Sequence, residues 1–177
     1  RDLVAKLKRQ FADRDNVTVH EADALRFDFA SLGDKLRIVG NLPYNISTPL
    51  LFHLLTYRKN VEDLHFMLQK EVVERIAASP GSKDFGRLTV MLGCRLEVVP
   101  LFDVPPGAFT PPPRVISSVV RMRPLAEGHF DIRDEAAFGN IVRQAFSRRR
   151  KTLRNALDGH VTVAELEAAG ISPAKRP

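Results

Sequence analysis

One short apolar run restricts the possible folds of this chain more than any other feature. Residues 36–41, Leu-Arg-Ile-Val-Gly-Asn, are rich in β-branched side chains and lack a clear alternation of polar and apolar positions. That pattern is typical of a parallel strand that is covered on both faces. Parallel strands need long crossover connections, which are usually helical. The run therefore predicts an open α/β sheet with helices on both faces.

Flanking segments alternate in the way that such a sheet requires. We predict strands at residues 17–20, 36–41 and 63–69, and helices at residues 1–11, 50–58 and 70–79, with Ser47 and Thr48 as candidate N-caps. A helix at 85–93 and strands at 95–104 and 114–124 follow, and a proline-rich link joins the two strands. Beyond residue 125 only helices are predicted, at 134–157 and 162–170. The chain thus divides into an α/β domain, 1–124, and a small helical domain, 125–177.

Charge and cysteine content narrow the classes of protein. A net charge of +6 and a pI near 9.8 favour a polyanionic partner such as nucleic acid, although a merely basic protein would look the same. Cys94 is the single cysteine, which excludes an intramolecular disulfide and suits a reducing cytosol. No run of the sequence is long and apolar enough for a membrane span, and no His/Cys/Asp cluster has metal-ligand spacing. We therefore expect a cytoplasmic protein that binds no metal.

The end of the predicted strand at residues 36–41 carries unusual chemistry. Asn41-Leu42-Pro43-Tyr44 interrupts the apolar run before the next helix. An amide oxygen and a backbone carbonyl could together accept hydrogen bonds from an exocyclic amine, proline would keep the turn rigid, and tyrosine would stack on a base. In open α/β sheets ligands bind at this end of the strands. A simple turn with a surface tyrosine explains the tetrapeptide equally well.

Five sequence blocks then point to one family. They are "NLPYNIS", "MLQKEVVERI", "PGSKDFGRLTV", "VPPGAFTPPPRV" and "AFSRRRKTLRN". In order and spacing they resemble the bacterial small-subunit rRNA adenine dimethyltransferases, the KsgA family, over essentially the whole chain. The resemblance implies a Rossmann-like, S-adenosylmethionine (SAM)-dependent methyltransferase sheet with a helical RNA-binding domain. It also implies N6,N6-dimethylation of two adjacent adenosines near the 3′ end of small-subunit (16S) rRNA, with the immature 30S subunit as partner of a monomeric enzyme.

The resemblance also assigns candidate residues. Asn41 and the Pro43 carbonyl would hold the adenine amine, Leu42 would line the pocket, and Tyr44 and Phe109 would stack on the two faces of the base. Asp23, with the Ala24 backbone and Asn41, would bind SAM. No His or Lys is expected to act as an essential base, because positioning and the sulfonium leaving group can supply most of the rate.

A run of unrelieved positive charge is the candidate RNA contact. Residues 147–155 hold five cations and no acid, and on a helix Arg148, Lys151 and Arg154 would share one face. A solvated helix face is the competing interpretation. We favour contact with the rRNA backbone by Arg148, Arg149, Arg150, Lys151 and Arg154, extended by Arg114 and, less directly, by Arg121 and Arg123.

Some expected family features do not occur in the sequence. No G-x-G is found, although a SAM-binding fold normally has a glycine-rich loop after its first strand. We expect that strand, and the acidic residue that holds the ribose, to precede Arg1, and a last helix to follow Pro177. Ile116 stands where the family usually has Asp. A non-catalytic RNA-binding assembly factor and an enzyme for a different adenosine remain the competing hypotheses.

Overall fold

A computed structural model describes residues 2–177, with side chains from residue 3 onward. The helices are α1 (Asp2–Gln10), α2 (Ser47–Leu55), α3 (Lys70–Ile76), α4 (Arg87–Gly93), α5 (Glu135–Ser147), α6 (Leu153–Ala156) and α7 (Val163–Ala168). The strands are β1 (Leu36–Asn41), β2 (Val61–Gln69), β3 (Leu96–Val104) and β4 (Ser117–Pro124). Among the described residues, no helix is long and apolar enough to cross a bilayer.

The four strands form one mixed sheet in the order β1-β2-β4-β3. β1 and β2 are parallel and are connected through α2, as the apolar run predicted. β4 runs antiparallel to both β2 and β3. A register shift between Pro100 and Phe102 marks a bulge in β3 that bends this edge of the sheet.

The main core lies on one face of the sheet. Leu64, Phe66 and Leu68 alternate along β2, and Val120 and Met122 of β4 pair beside them, so all five point to the same face. Helices α2, α3 and α4 complete this core with leucine, valine and isoleucine side chains.

The other face of β1 is open among the described residues. Burial alternates along β1, and Val39 is 77% exposed. The prediction that this strand is covered on both faces is therefore wrong for residues 2–177, because the outward-facing positions of β1 are exposed there.

The predicted strand at residues 17–20 does not form. Strand propensity is expressed only when a neighbouring strand supplies hydrogen bonds, and none of the described strands lies beside this segment. Aromatic rings instead anchor the chain that follows it. Phe29 packs edge-on against Tyr57 at 5.6 Å, and His53 of α2 bonds to the Phe27 carbonyl at 2.9 Å.

The predicted helix at 134–157 is two helices. α5 ends at Ser147, residues 148–151 form a turn, and α6 begins at Leu153. The guanidinium groups of Arg148 and Arg149 donate to the carbonyl oxygens of Asn155 and Ser82, at 3.3 and 3.0 Å. These bonds hold the turn in place of a continued helix.

The helical part has its own small core and is attached to the sheet domain at several points. Ala145, Leu157 and Leu166 form a separate buried cluster. Phe146 packs edge-on against Phe85 with ring centroids 5.8 Å apart, and Arg95 forms an ion pair with Glu135.

Phe66 provides a test of the one-sided core. Its side chain is 1% exposed at the centre of the sheet, so Phe66→Ala should lower the free energy of unfolding by about 3–5 kcal/mol. Urea denaturation measures this loss. Phe102→Ala is the matched control: that side chain is 60% exposed, and its removal should change stability by less than about 0.5 kcal/mol. Equal losses in the two variants would contradict the assignment of the core face.

Candidate active site

The pairing of the strands brings four strand ends to one edge of the sheet. Asn41 pairs with Met67, and Ser117 pairs with both Gln69 and Val104. The carboxyl ends of β1, β2 and β3 therefore meet the start of β4. In an open α/β sheet this is the edge at which ligands bind.

Backbone hydrogen bonds fix the turn from Asn41 to Tyr44. The Leu42 N–H donates to the Met67 carbonyl at 3.2 Å, which extends the pairing with β2 by one residue. The Ile46 N–H donates to the Pro43 carbonyl at 3.1 Å and closes the turn before α2. No hydrogen bond to the Leu42 carbonyl forms within residues 2–177. One acceptor of the turn is thus engaged and its neighbour is open.

A small cavity brings together all five residues predicted for the adenine pocket. Its volume is about 220 Å³, and its lining is entirely uncharged: Asn41, Leu42, Pro43, Tyr44, Phe109, Pro111 and Pro113. Pockets for drug-sized ligands span roughly 300–1,000 Å³. This cavity has the scale of a single planar base. Larger cavities lie elsewhere, including one of about 700 Å³ at residues 146–158.

Two serine hydroxyls hold Tyr44, and the sequence analysis assigned neither of them to the site. The Ser47 hydroxyl donates to the Tyr44 carbonyl at 3.0 Å, so Ser47 lies inside the first turn of α2 and is not its N-cap. The Ser117 hydroxyl lies 3.2 Å from the Tyr44 phenol oxygen. A buried serine at the start of a strand needs a polar partner, which is the one signal that could have singled out Ser117.

Asp23 and Ala24 lie outside the lining of this cavity. One Asp23 carboxylate oxygen accepts from the Leu25 N–H at 3.0 Å, and the other is 3.9 Å from the Arg26 guanidinium. The first bond fixes the loop, and the second oxygen keeps capacity for a further donor. Ala24 packs against the main core.

The predicted RNA-binding residues are exposed, but they are arranged differently from the prediction. Arg148, Arg149, Arg150 and Lys151 occupy the turn between α5 and α6, and only Arg154 is helical. The shared helix face predicted for Arg148, Lys151 and Arg154 is therefore wrong. Arg114 is exposed in the proline-rich link and directly follows Pro113, which lines the small cavity.

An ion pair joins the residue that follows β2 to the end of β3. The Lys70 ammonium lies 2.6 Å from the Asp103 carboxylate. Their hydrogen bond, more than their charge attraction, raises the pKa of Lys70. The same bond lowers the pKa of Asp103 below its ordinary value. The backbone N–H of Lys70 also donates to the backbone carbonyl of Ile116 at 3.0 Å. This bond does not depend on which side chain stands at position 116.

Comparison with known proteins decides the family. A family model described as "Ribosomal RNA adenine dimethylase" matches residues 1–176. The chain belongs to this family. It is 54% identical, over 99% of its length, to ribosomal RNA small subunit methyltransferase A of Pseudomonas aeruginosa, and 55% identical to the Chromobacterium violaceum protein of that name. The chain spans 67% and 68% of those relatives.

Solved structures support the same assignment. A dimethyladenosine transferase from Plasmodium falciparum superimposes with a TM-score of 0.78 at 30% identity, covering 94% of this chain and 60% of that one. The 23S rRNA methyltransferase ErmE superimposes with a TM-score of 0.71 at 23% identity, which shows a shared fold. The predicted family, the Rossmann-like α/β fold and the class of rRNA adenine dimethyltransferases are therefore confirmed.

Gly40 tests how tightly the turn is packed. A Cβ at this position would lie 3.1 Å from Leu42 Cδ2 and 3.5 Å from the Phe66 ring. Gly40→Ala should therefore destabilise the protein by about 1 kcal/mol, because overpacking outweighs the gain from restricting the unfolded chain. Urea denaturation measures the change.

Trimming the neighbour should relieve this clash. Leu42→Val removes the contacting methyl group, so the double variant should lose less stability than the sum of the two single variants. Gly93→Ala is the control, since a Cβ there meets nothing within 4 Å. Additive losses would show that Gly40 is not packed against Leu42.

Proposed function

We propose that this protein methylates the N6 nitrogen of two adjacent adenosines near the 3′ end of small-subunit rRNA, giving N6,N6-dimethyladenosine during assembly of the 30S subunit. One observation carries the proposal: the uncharged cavity at the strand ends, with Asn41 at its edge and Tyr44 and Phe109 in its lining. The names of the relatives support the choice of small-subunit rRNA. The proposed enzyme acts as a monomer in the cytoplasm, where bacterial subunits assemble.

The edge of the cavity suits an amine. The Asn41 amide oxygen accepts one N6–H of the target adenine. The second acceptor is the Pro43 carbonyl, which accepts one bond from the Ile46 N–H and has a second lone pair for the amine. Two acceptors in fixed positions draw the nitrogen lone pair out of conjugation with the ring. The lone pair is then directed at the incoming methyl group.

The aromatic residues supply binding energy. Stacking of a base on an aromatic ring contributes roughly 1–3 kcal/mol. Extrusion of a base from a folded RNA costs a few kcal/mol. Tyr44 on one face of the adenine and Phe109 on the other can offset that cost. The small volume of the cavity then favours one base and excludes a stacked pair.

SAM is the proposed methyl donor and supplies an electrophilic methyl group on a sulfonium. Asp23 has a carboxylate oxygen with spare capacity, which fits an adenine amine of the co-substrate, and the Ala24 backbone stands beside it. Asn41 lies between this loop and the adenine cavity in the proposed arrangement. When bound, SAM would supply the methyl group to N6 and leave as the thioether, and N6 would release a proton to solvent. We assign no general base, because orientation of the reactants supplies most of the rate.

The helical domain, residues 125–177, is the proposed RNA-binding part. The cations of its turn at 148–151 line a cavity of about 700 Å³. Within residues 2–177, Arg150, Lys151 and Arg154 form no ion pair with an acidic side chain, so their charge is available to phosphates. Arg114 extends this surface toward the adenine cavity.

Asn41→Ala tests the proposed chemistry. Turnover is best measured in a grafted enzyme, in which these 177 residues replace the matching two thirds of the Pseudomonas aeruginosa relative. We expect methylation of immature 30S subunits to fall by at least about a hundredfold, because the amine loses an acceptor that acts during transfer. RNA affinity should stay within about twofold, since stacking and phosphate contacts remain.

Asn16→Ala, at an exposed turn, is the matched control and should leave both quantities unchanged. A parallel loss of RNA affinity in Asn41→Ala would make Asn41 a structural residue. Retained methylation would overturn the proposed mechanism. RNA binding without methylation by the unsubstituted grafted enzyme would favour a non-catalytic assembly factor. Methylation of naked large-subunit RNA, but not of precursor subunits, would indicate a different target adenosine.

Removal of two cations tests the RNA surface. Arg150→Ala with Lys151→Ala should weaken RNA binding and lower the slope of log affinity against log salt by about 2, because two phosphates are no longer neutralised by the protein. Lys6→Ala with Lys8→Ala makes the same change in net charge at exposed positions of α1. Equal slopes for the two double variants would show that only net charge matters.

A further inference from the structure

Tyr44 is bonded to the rest of the protein through both its backbone carbonyl and its phenol oxygen. Its backbone carbonyl accepts from Ser47, which is 3% exposed, and its phenol oxygen lies 3.2 Å from the hydroxyl of Ser117, which is 1% exposed. Tyr44 as a whole residue is 39% exposed. One buried hydroxyl thus holds the Tyr44 backbone, and another holds the phenol end of its ring.

Ser117 is held in the sheet by strands on both sides. It is the first residue of β4, an interior strand, and it pairs with Gln69 of β2 and Val104 of β3. Val120 and Met122 of the same strand are fully buried. The Ser117 backbone is therefore fixed by pairing on both sides, and the burial of the residue limits the space available to its hydroxyl.

Tyr44, in contrast, lies in the turn after an edge strand. A tyrosine ring on such a turn can rotate about two side-chain torsions, and stacking alone does not fix its plane. The bond to Ser117 removes this freedom at the far end of the ring. It also ties the ring to the end of the proline-rich link, because that link runs from Val104 to Ser117 and carries Phe109. Both aromatic residues of the cavity are thereby held at the same pair of strand ends.

We propose that Ser117 is a positioning residue for adenine methylation. Its hydrogen bond sets the plane of Tyr44, so that a base stacked on Tyr44 presents its amino group to Asn41. This inference rests on the proposed function for its catalytic consequence, but the hydrogen bond itself can be tested without any activity. Ser117 does not touch the substrate in this arrangement, and its effect passes through Tyr44.

The first experiment observes the ring directly in the 177-residue chain. The chain contains two tyrosines, Tyr44 and Tyr57, so incorporation of 3-fluorotyrosine gives two fluorine resonances that Tyr57→Phe assigns. Ser117→Ala should shift and broaden the Tyr44 resonance and leave that of Tyr57 unchanged. Ser118→Ala is the control: this neighbouring serine is also buried and donates to the Phe102 carbonyl. An unchanged Tyr44 resonance in Ser117→Ala would overturn the inference.

The second experiment measures catalysis in the grafted enzyme. Ser117→Ala and Tyr44→Phe each remove one side of the same bond, so each should lower kcat by about 3- to 10-fold with KM for the RNA within about twofold. The double variant should lose no more than either single variant, and Ser117→Thr should restore kcat. Tyr44→Phe keeps the ring and still tests the bond if Ser117→Ala fails to fold.

The outcomes separate the two proposals. Losses that multiply in the double variant, or a Ser117→Ala enzyme with unchanged kcat, would overturn the positioning role and leave the proposed function intact. Full methylation by Asn41→Ala would overturn the proposed mechanism, while the fluorine spectra would still report on the Tyr44–Ser117 bond.

Discussion

The parallel pairing of β1 with β2 is the constraint on which the candidate site depends. That pairing continues past the end of β1 through the bond from the Leu42 N–H to the Met67 carbonyl. The position at which the turn starts is therefore fixed by the sheet. Pro43 and Ile46 then close it, and α2 follows at once. The backbone of a polar, partly exposed turn is thus held in place by the sheet. A reaction whose rate depends on the orientation of the reactants needs such fixed positions.

The rest of the site is positioned by the neighbouring strand of the same sheet. β4 begins where β1 and β2 end, and it places Ser117 beneath Tyr44. The link between β3 and β4 places Phe109 in the same cavity. Residues that are distant in sequence thus meet because the register of the strands fixes where each one lies. Phe146 of the helical domain packs against Phe85 of the sheet domain, and the role proposed for the helical domain depends on its charge rather than on chemistry.

Much of this arrangement could be predicted from the sequence, because its signals are local. The apolar run at 36–41 predicted β1, and the Asn-Leu-Pro-Tyr tetrapeptide drew attention to the turn. The features that could not be predicted depend on partners far along the chain. Ser117 lies 73 residues from Tyr44, so their bond follows only from the final register. Residues 17–20 have strand propensity but no neighbouring strand among those described, and the break after Ser147 reflects bonds to Asn155 and Ser82.

The proline-rich link has a thermodynamic consequence for the cavity. Five of the nine residues at 105–113 are prolines, and Phe109 stands in their midst. Each proline limits the unfolded chain as well as the folded one, so the link has little conformational entropy left to lose when a base enters. A flexible loop carrying the same phenylalanine would have to become ordered at that moment. Under the proposed function, the cavity would therefore need little reordering to take a base, and more of the free energy of stacking would be available to hold that base extruded.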